Sequence, residues 1–429
     1  MNETGIINQS KTLFEWTYYG LVVMFFVSLI FSFRIYVSIT SISLLFASLI
    51  YHFLERKRLW NKTFINTFIL GCFIYVLLQG IALLYTDNLK AGMTSLQMGL
   101  GLIALPLAVS YTNLINKKTY PRIMSCYIVI LFTATIIALA YALRIYEFTG
   151  QTSQFFYHPL VSIYSGHAIQ FSILVFIGIL YLKEEFGNRA VIKQRGLILF
   201  GLVYFSCFLF LLTSKLILVI YFCYIVYLVL SEKGKGSNVF KLVAGILIAG
   251  MLALFTLTDS PLKKRMFEEA GSNIAFLKQA SFTPGDYITG VEFRLLSWRF
   301  VYEILQEKHC WLKGVSPGDA QKALDDKYRQ MDMFIGGSPE NKTGFLGYHT
   351  HNQFLQALLE TGIPGLVAFI IICAGLIQMA LKSRNQSLIL LSILLICYCF
   401  ADAILKTQYG VILIAWFPLF ILQGQKSEK

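Results

Sequence analysis

Residues 196–231 read GLILFGLVYFSCFLFLLTSKLILVIYFCYIVYLVLS, and the single charge among them is Lys215. A helix that crosses the hydrocarbon core needs about 20 mostly apolar residues. The stretch is too long for one crossing, and Thr213-Ser214-Lys215 divides it into 196–213 and 215–231. It therefore predicts two spans joined by a nearly loopless hairpin. Working outward, apolar runs bounded by charge, Pro or Gly mark further spans near 14–33, 34–54, 63–86, 91–112, 122–145, 160–182, 239–257, 362–381, 387–405 and 409–424. The run 14–54 is also nearly continuous, and Arg34 is its expected break. The sequence thus predicts an all-α polytopic membrane protein with about twelve transmembrane helices. Composition agrees: 56% of the 429 residues are apolar and 14% are charged, where soluble domains carry about 25% charged residues. That excludes a disordered chain, a collagen-like chain and an ordinary soluble enzyme. Glu15 precedes a full-length span with no small-residue cleavage site after it, so no short cleavable signal peptide is expected.

The net charge of +13 has a location. With the N-terminus placed in the cytoplasm, Lys11, the short loops on that side and the tail carry 19 Lys and Arg, and the opposite short connections carry 5. This is the positive-inside bias, and it puts both termini inside. The long segment 258–350 then lies outside, and its 12 basic residues are matched by 12 acidic ones. The basic excess therefore faces anionic membrane lipids and not nucleic acid. The expected organisation is spans one to nine over 1–257, a large outer loop over 258–350, and a motif helix with the last three spans over 351–429. Seven of the eight cysteines fall in candidate spans and Cys310 in the outer loop; no CxxC pair or Cys/His metal spacing occurs.

A loop of that length in a folded protein is usually functional. Val291 to Gln306 reads as a helix with Phe293, Leu296, Phe300 and Ile304 on one stripe and Arg294, Trp298, Val301 and Leu305 on the next. Gly314 to Asp319 reads as a turn, with Asp319 expected to cap a helix starting at Ala320. Residues 330–345 read as irregular. His349-Thr350-His351-Asn352 precedes a helical run from Gln353 to Thr361, which Gly362 is expected to stop before Pro364 opens the next span.

Candidates for chemistry are few. His351 and His349 are suited to act as a general base near neutral pH. Two residues apart on an extended segment, they are expected to point to opposite sides, and no carboxylate stands near them in sequence. Lys215 lies on the outer side against the charge bias, which suggests an anionic partner, as does Arg294 with its fork of donors. Asp402 and Lys406, four apart, are expected to pair with each other. His158, before Pro159, is a candidate for a cavity rim. Gln79, Gln97, His167 and Gln170 are expected mainly to bond between helices.

These residues resemble those of the O-antigen ligase superfamily. His351-Asn352, nine residues, then Gly362-Ile-Pro-Gly365 is similar to that family's pattern at the end of a large outer loop. Arg294 with Trp298 resembles its Arg-x-x-x-Trp, Gly314 to Asp319 its glycine-rich turn, and Thr213-Ser214-Lys215 stands where members often have Ser-Arg. The resemblance implies a type C glycosyltransferase fold in the bacterial inner membrane, with the loop periplasmic and helical. It implies transfer of a glycan from an undecaprenyl-diphosphate carrier to a hydroxyl of lipid A-core in lipopolysaccharide biosynthesis, with no cofactor, no metal and no nucleotide sugar. A growing glycan or a protein would be the acceptor in the polymerase or O-glycosyltransferase branches. His351, Arg294 and Lys215 are the implied catalytic residues, and Asn352, His349, Trp298, Arg265 and His158 the substrate-binding ones. Lys215 in place of Arg keeps the charge and loses the bidentate fork. A twelve-span transporter is the competing class. Its two similar halves and long central cytoplasmic loop are not found here.

Overall fold

The computed structural model describes residues 3–54, 66–164, 166–188, 192–231, 245, 277–283, 285–286, 288–337 and 344–426. Apart from Gly245, the expected span 239–257 lies outside these residues, as does Arg265. No strand occurs among the described residues. Seven of their helices are long and apolar enough to cross a membrane, and three shorter helices are similarly apolar. The chain is an all-helical membrane protein. It divides into two compact units.

The first unit comprises residues 1–55, 111–266 and 421–429. Its helices Glu3–Ile30 and Arg34–Leu54 are separated by three residues, the expected break at Arg34. Tyr120–Thr149 packs on the first of these, with Tyr127 edge-on to Phe26 at 5.0 Å. The Tyr127 hydroxyl donates to the Leu174 carbonyl at 2.8 Å and so ties in helix Ala168–Asn188. Ile192–Leu211 and Lys215–Ser231 form the predicted hairpin, turning on Thr213 at φ 45°.

The second unit comprises residues 56–110 and 267–420. At its centre, helix Thr67–Ala82 lies along helix Gln353–Ser383. Two glycines make this possible. A Cβ on Gly375 would run into the backbone of Phe68, and one on Gly71 would meet the Ile372 amide at 2.8 Å. Small residues are what allow helix backbones to touch inside a membrane, where no hydrophobic force drives them together. Thr67 donates to Gln378 at 2.7 Å across the same seam.

Helix Gln353–Ser383 is broken, as the sequence predicts. Thr361 and Gly362 leave helical geometry, and Gly362 adopts φ 69° and ψ −162°. That conformation belongs almost entirely to glycine. The break lets the Ile363 amide donate to the Trp311 carbonyl at 2.8 Å, while Val315 and Ser316 donate to Leu359 and Glu360. Helices Gly290–Glu307 and Ala320–Gln330 share a separate apolar core built on Phe293, Leu296, Phe300, Leu324 and Tyr328. Thr289 opens the first with a capping box to Glu292. Asp319 does not cap the second with its side chain. Its carboxylate instead accepts from the Asp87 and Asn88 amides and the Thr86 and Ser316 hydroxyls at 2.7–3.1 Å. Those donors outweigh the effect of burial, which alone would raise the carboxyl, and hold it below its ordinary value.

Candidate active site

The loop Gly347 to Asn352 is fixed at almost every residue. The Gly347 amide donates to Asp325 at 2.9 Å, and Tyr328 and Gln321 donate to the Tyr348 carbonyl at 2.9 and 3.1 Å. Ser297, buried on helix Gly290–Glu307, donates to the Thr350 carbonyl at 2.9 Å. Asn352 caps helix Gln353–Ser383, its Oδ1 accepting from the Phe354 and Leu355 amides at 2.9 and 3.1 Å. It is buried, and its side-chain oxygen is committed to the helix end.

His351 sits at φ 46°, in the left-handed region. Such a backbone is costly for a residue with a Cβ, and it persists where surroundings impose it. Its effect is to defeat the alternation expected of an extended segment. The two imidazoles turn to the same side, with ring centroids 4.3 Å apart. Both face Asp402, which the sequence does not place near them. Asp402 Oδ1 lies 3.4 Å from His351 Nδ1 and 3.5 Å from His349 Nε2. Phe293 and Tyr348 flank His351, with ring centroids 5.8 and 5.9 Å away.

Asp402 ends helix Gln386–Ala401. Its Oδ2 accepts from the Tyr398 hydroxyl at 3.0 Å and its Oδ1 from the Ala403 amide at 2.9 Å. Burial alone would raise this carboxyl. The His351 hydrogen bond, the charges of His349 and His351 and the Tyr398 hydroxyl together win and bring it down to about 2. The carboxylate is therefore ionised at neutral pH. The expected Asp402–Lys406 pair does not form. Lys406 turns to Glu360 at 3.0 Å instead.

Protonation follows from the contacts. The His351 amide donates to His349 Nδ1 at 3.1 Å, so a neutral His349 carries its proton on Nε2, toward Asp402. With Asp402 at Nδ1, a neutral His351 keeps its proton there and leaves Nε2 as a lone pair. A carboxylate on one imidazole nitrogen and a free base on the other is the arrangement of a general base held in one tautomer. The three side chains also place ligand-type atoms within 4.8 Å of one another, close enough to surround a metal ion. The donor set opposes that use: His349 Nε2 bears a proton as long as His351 donates to Nδ1.

The Arg294 helix is joined to this loop through Ser297. Arg294 uses one guanidinium nitrogen on the Gly290 carbonyl, at 3.3 Å. Among the described residues its buried Nε has no partner, and neither has Trp298 Nε1 one turn along the helix. Two buried donors without acceptors on one stripe are costly unless a ligand meets them. In the first unit, Lys215 begins helix Lys215–Ser231. His158 in that unit accepts the Ala168 amide at Nδ1 (3.3 Å) and lies 4.5 Å from the ring of His167.

Asp402, Tyr398 and Glu360 are the residues that sequence reading did not place at the site. A carboxylate closing an apolar helix, with Tyr one turn before it, was a visible signal for the first two. Residues 200–370 match the family model described as O-Antigen ligase. No curated protein matches the chain. The matched region takes in the Lys215 hairpin, the Arg294 helix and the His351 loop. Over those residues the chain is similar to the O-antigen ligase family.

Proposed function

We propose that the protein is an O-antigen ligase that moves a glycan from undecaprenyl diphosphate to a hydroxyl of lipid A-core. The reaction takes place on the periplasmic face of the inner membrane, in a type C glycosyltransferase fold of about twelve spans. The observation that carries this reading is Asp402 at Nδ1 of His351, which leaves Nε2 available as base. In the proposed step His351 Nε2 takes the proton of the acceptor hydroxyl as its oxygen attacks the anomeric carbon. The sugar–oxygen–phosphorus bridge breaks on the sugar side, and the electron pair leaves with undecaprenyl diphosphate. Direct attack inverts the anomeric centre. Asp402 holds the imidazole in its tautomer and offsets the imidazolium charge that forms.

The leaving diphosphate gains negative charge, which cations positioned for the transition state stabilise. Arg294, whose buried Nε has no partner among the described residues, is suited to this role. Lys215 keeps the anion-binding role that the family resemblance implies, as a point charge in place of an arginine fork. Arg265, His158 and His349 retain the substrate-binding roles that the resemblance implies.

The test is glycan transfer in proteoliposomes containing EDTA, with a polyprenyl-diphosphate glycan as donor. Lipid A-core and a second donor molecule serve as alternative acceptors, and wild type runs beside His351→Ala. Product on lipid A-core that disappears in the variant supports the ligase. Lengthened carrier-linked glycan identifies a polymerase instead. No product from an intact preparation, across several glycans, refutes the transferase reading.

A further inference from the structure

The outer turns of helix Gln353–Ser383 carry Gln353, Gln356 and Glu360 on one stripe, at spacings of three and four. All three are buried, at 0%, 2% and 1% exposure. Hydrophobic patterning would fill a buried helical stripe with apolar side chains. Here it is polar, and its bonds run to the elements that carry the proposed chemistry.

Gln356 Oε1 accepts from the Thr350 hydroxyl at 3.0 Å, one residue before His351. The same Thr350 offers its carbonyl to Ser297, one turn from Arg294. Gln356 Nε2 donates to Glu360 Oε1 at 2.8 Å, and Lys406 donates to that same oxygen at 3.0 Å. Gln353 Oε1 accepts the Leu405 amide at 2.8 Å, so the turn that follows Asp402 is held twice. Ser95 and Gln79 complete the cluster, receiving from Lys406 at 3.1 Å and donating to Glu360 at 3.3 Å. One short helix thus fixes the loop of His351, the segment of Asp402 and, through Thr350, the helix of Arg294.

We propose that Gln356 and the Glu360–Lys406 pair are positioning residues for glycan transfer. They hold His351 and Asp402 in register with Arg294 and do not touch the substrate themselves. This rests on the function proposed above. A buried ion pair is poor evidence of stability, since replacing both partners together is often neutral. A network that only supports the fold predicts that activity follows stability. A positioning network predicts that the two separate.

The experiment compares wild type, Glu360→Gln, Lys406→Met, the double variant and Gln356→Leu in proteoliposomes, measuring kcat, donor KM and the thermal midpoint. Each single charge variant strands its partner and lowers the midpoint. The double variant strands neither charge, so its midpoint returns to within a few degrees of wild type. Its kcat is expected to stay at least 10-fold below wild type, with donor KM changed less than twofold. Gln356→Leu is expected to lose kcat in the same way. A double variant with wild-type kcat, or one whose donor KM rises in step with the loss, overturns the positioning role while leaving the transferase reading intact. Wild type without transfer overturns both.

Discussion

Asp402 Oδ1 lies 3.4 Å from His351 Nδ1, and the Tyr398 hydroxyl holds the other carboxylate oxygen at 3.0 Å. The imidazole is thereby fixed from one side and left free on the other. Asp402→Asn keeps the shape and removes the charge. Transfer is expected to fall by about 10²–10⁴-fold, the range for a lost acid–base function, with donor KM little changed. Tyr398→Phe should cost less, since the Ala403 amide still holds the carboxylate. Steady-state kinetics on reconstituted protein checks both, and an Asp402→Asn variant at wild-type rate refutes the orienting role.

The acidity of Asp402 has a consequence for stability. Its carboxyl is held at about 2, below the ordinary value of 3.8. A lowered pKa means that ionisation favours the folded state above the ordinary value, and that this contribution is lost as pH falls through the folded value. The midpoint difference between wild type and Asp402→Asn should therefore be present at pH 5. It should shrink from roughly pH 4 downward and vanish near pH 2. Thermal denaturation in detergent across that range reads it directly, and a difference that grows on acidification has the wrong sign.

Among the described residues, Arg294 and Trp298 each leave a buried donor without an acceptor. If the donor's diphosphate meets the guanidinium, Arg294→Ala should lower kcat/KM by about 10²–10³-fold, as for a lost oxyanion contact. Arg294→Lys should recover only part of this, because the planar fork is lost. Trp298→Phe, which removes the N–H and keeps the ring system's bulk in part, should weaken donor binding. A titration with a fluorescent polyprenyl diphosphate gives the affinities, and equal binding by all three variants counts against the assignment.

Gly362 stands at φ 69°, with the Trp311 and Leu312 carbonyls where a side chain would go. Gly362→Ala should destabilise by more than about 2 kcal/mol, since backbone strain and overlap with fixed main chain add. Gly20→Ala meets open space and serves as the control. Loss of monodisperse protein for the first and not the second is the expected outcome in size-exclusion profiles.

Much of this was legible beforehand. Apolar runs and their breaks gave the helices, because the bilayer imposes length and leaves charge at the ends. Gly362 and Pro364 marked the broken helix for a stereochemical reason that operates locally. The candidate site came from two sources. Spacing and resemblance proposed His351, Arg294 and Trp298, and a Ser297–Thr350 hydrogen bond joins the His loop to the Arg294 helix. The carboxylate was misassigned. Asp402 and Lys406 are four apart, but a bend and one 3-10 turn connect them and not an α-helix, so the helical pairing rule does not apply. Nor does alternation along an extended strand apply to His349 and His351, because His351 takes a left-handed backbone. Both failures have one origin: contacts between residues some fifty positions apart overrode local geometry.

The seam between Thr67–Ala82 and Gln353–Ser383 fixes an order of events during synthesis. Thr67 and Gln378, bonded across it, are 311 residues apart in the chain. The glycine face of the early helix must enter the membrane long before its partner leaves the ribosome. The most extensive helix contact of the second unit is thus among the last to form. A nascent chain truncated before residue 347 would keep its early helices and lack both this seam and the histidine loop.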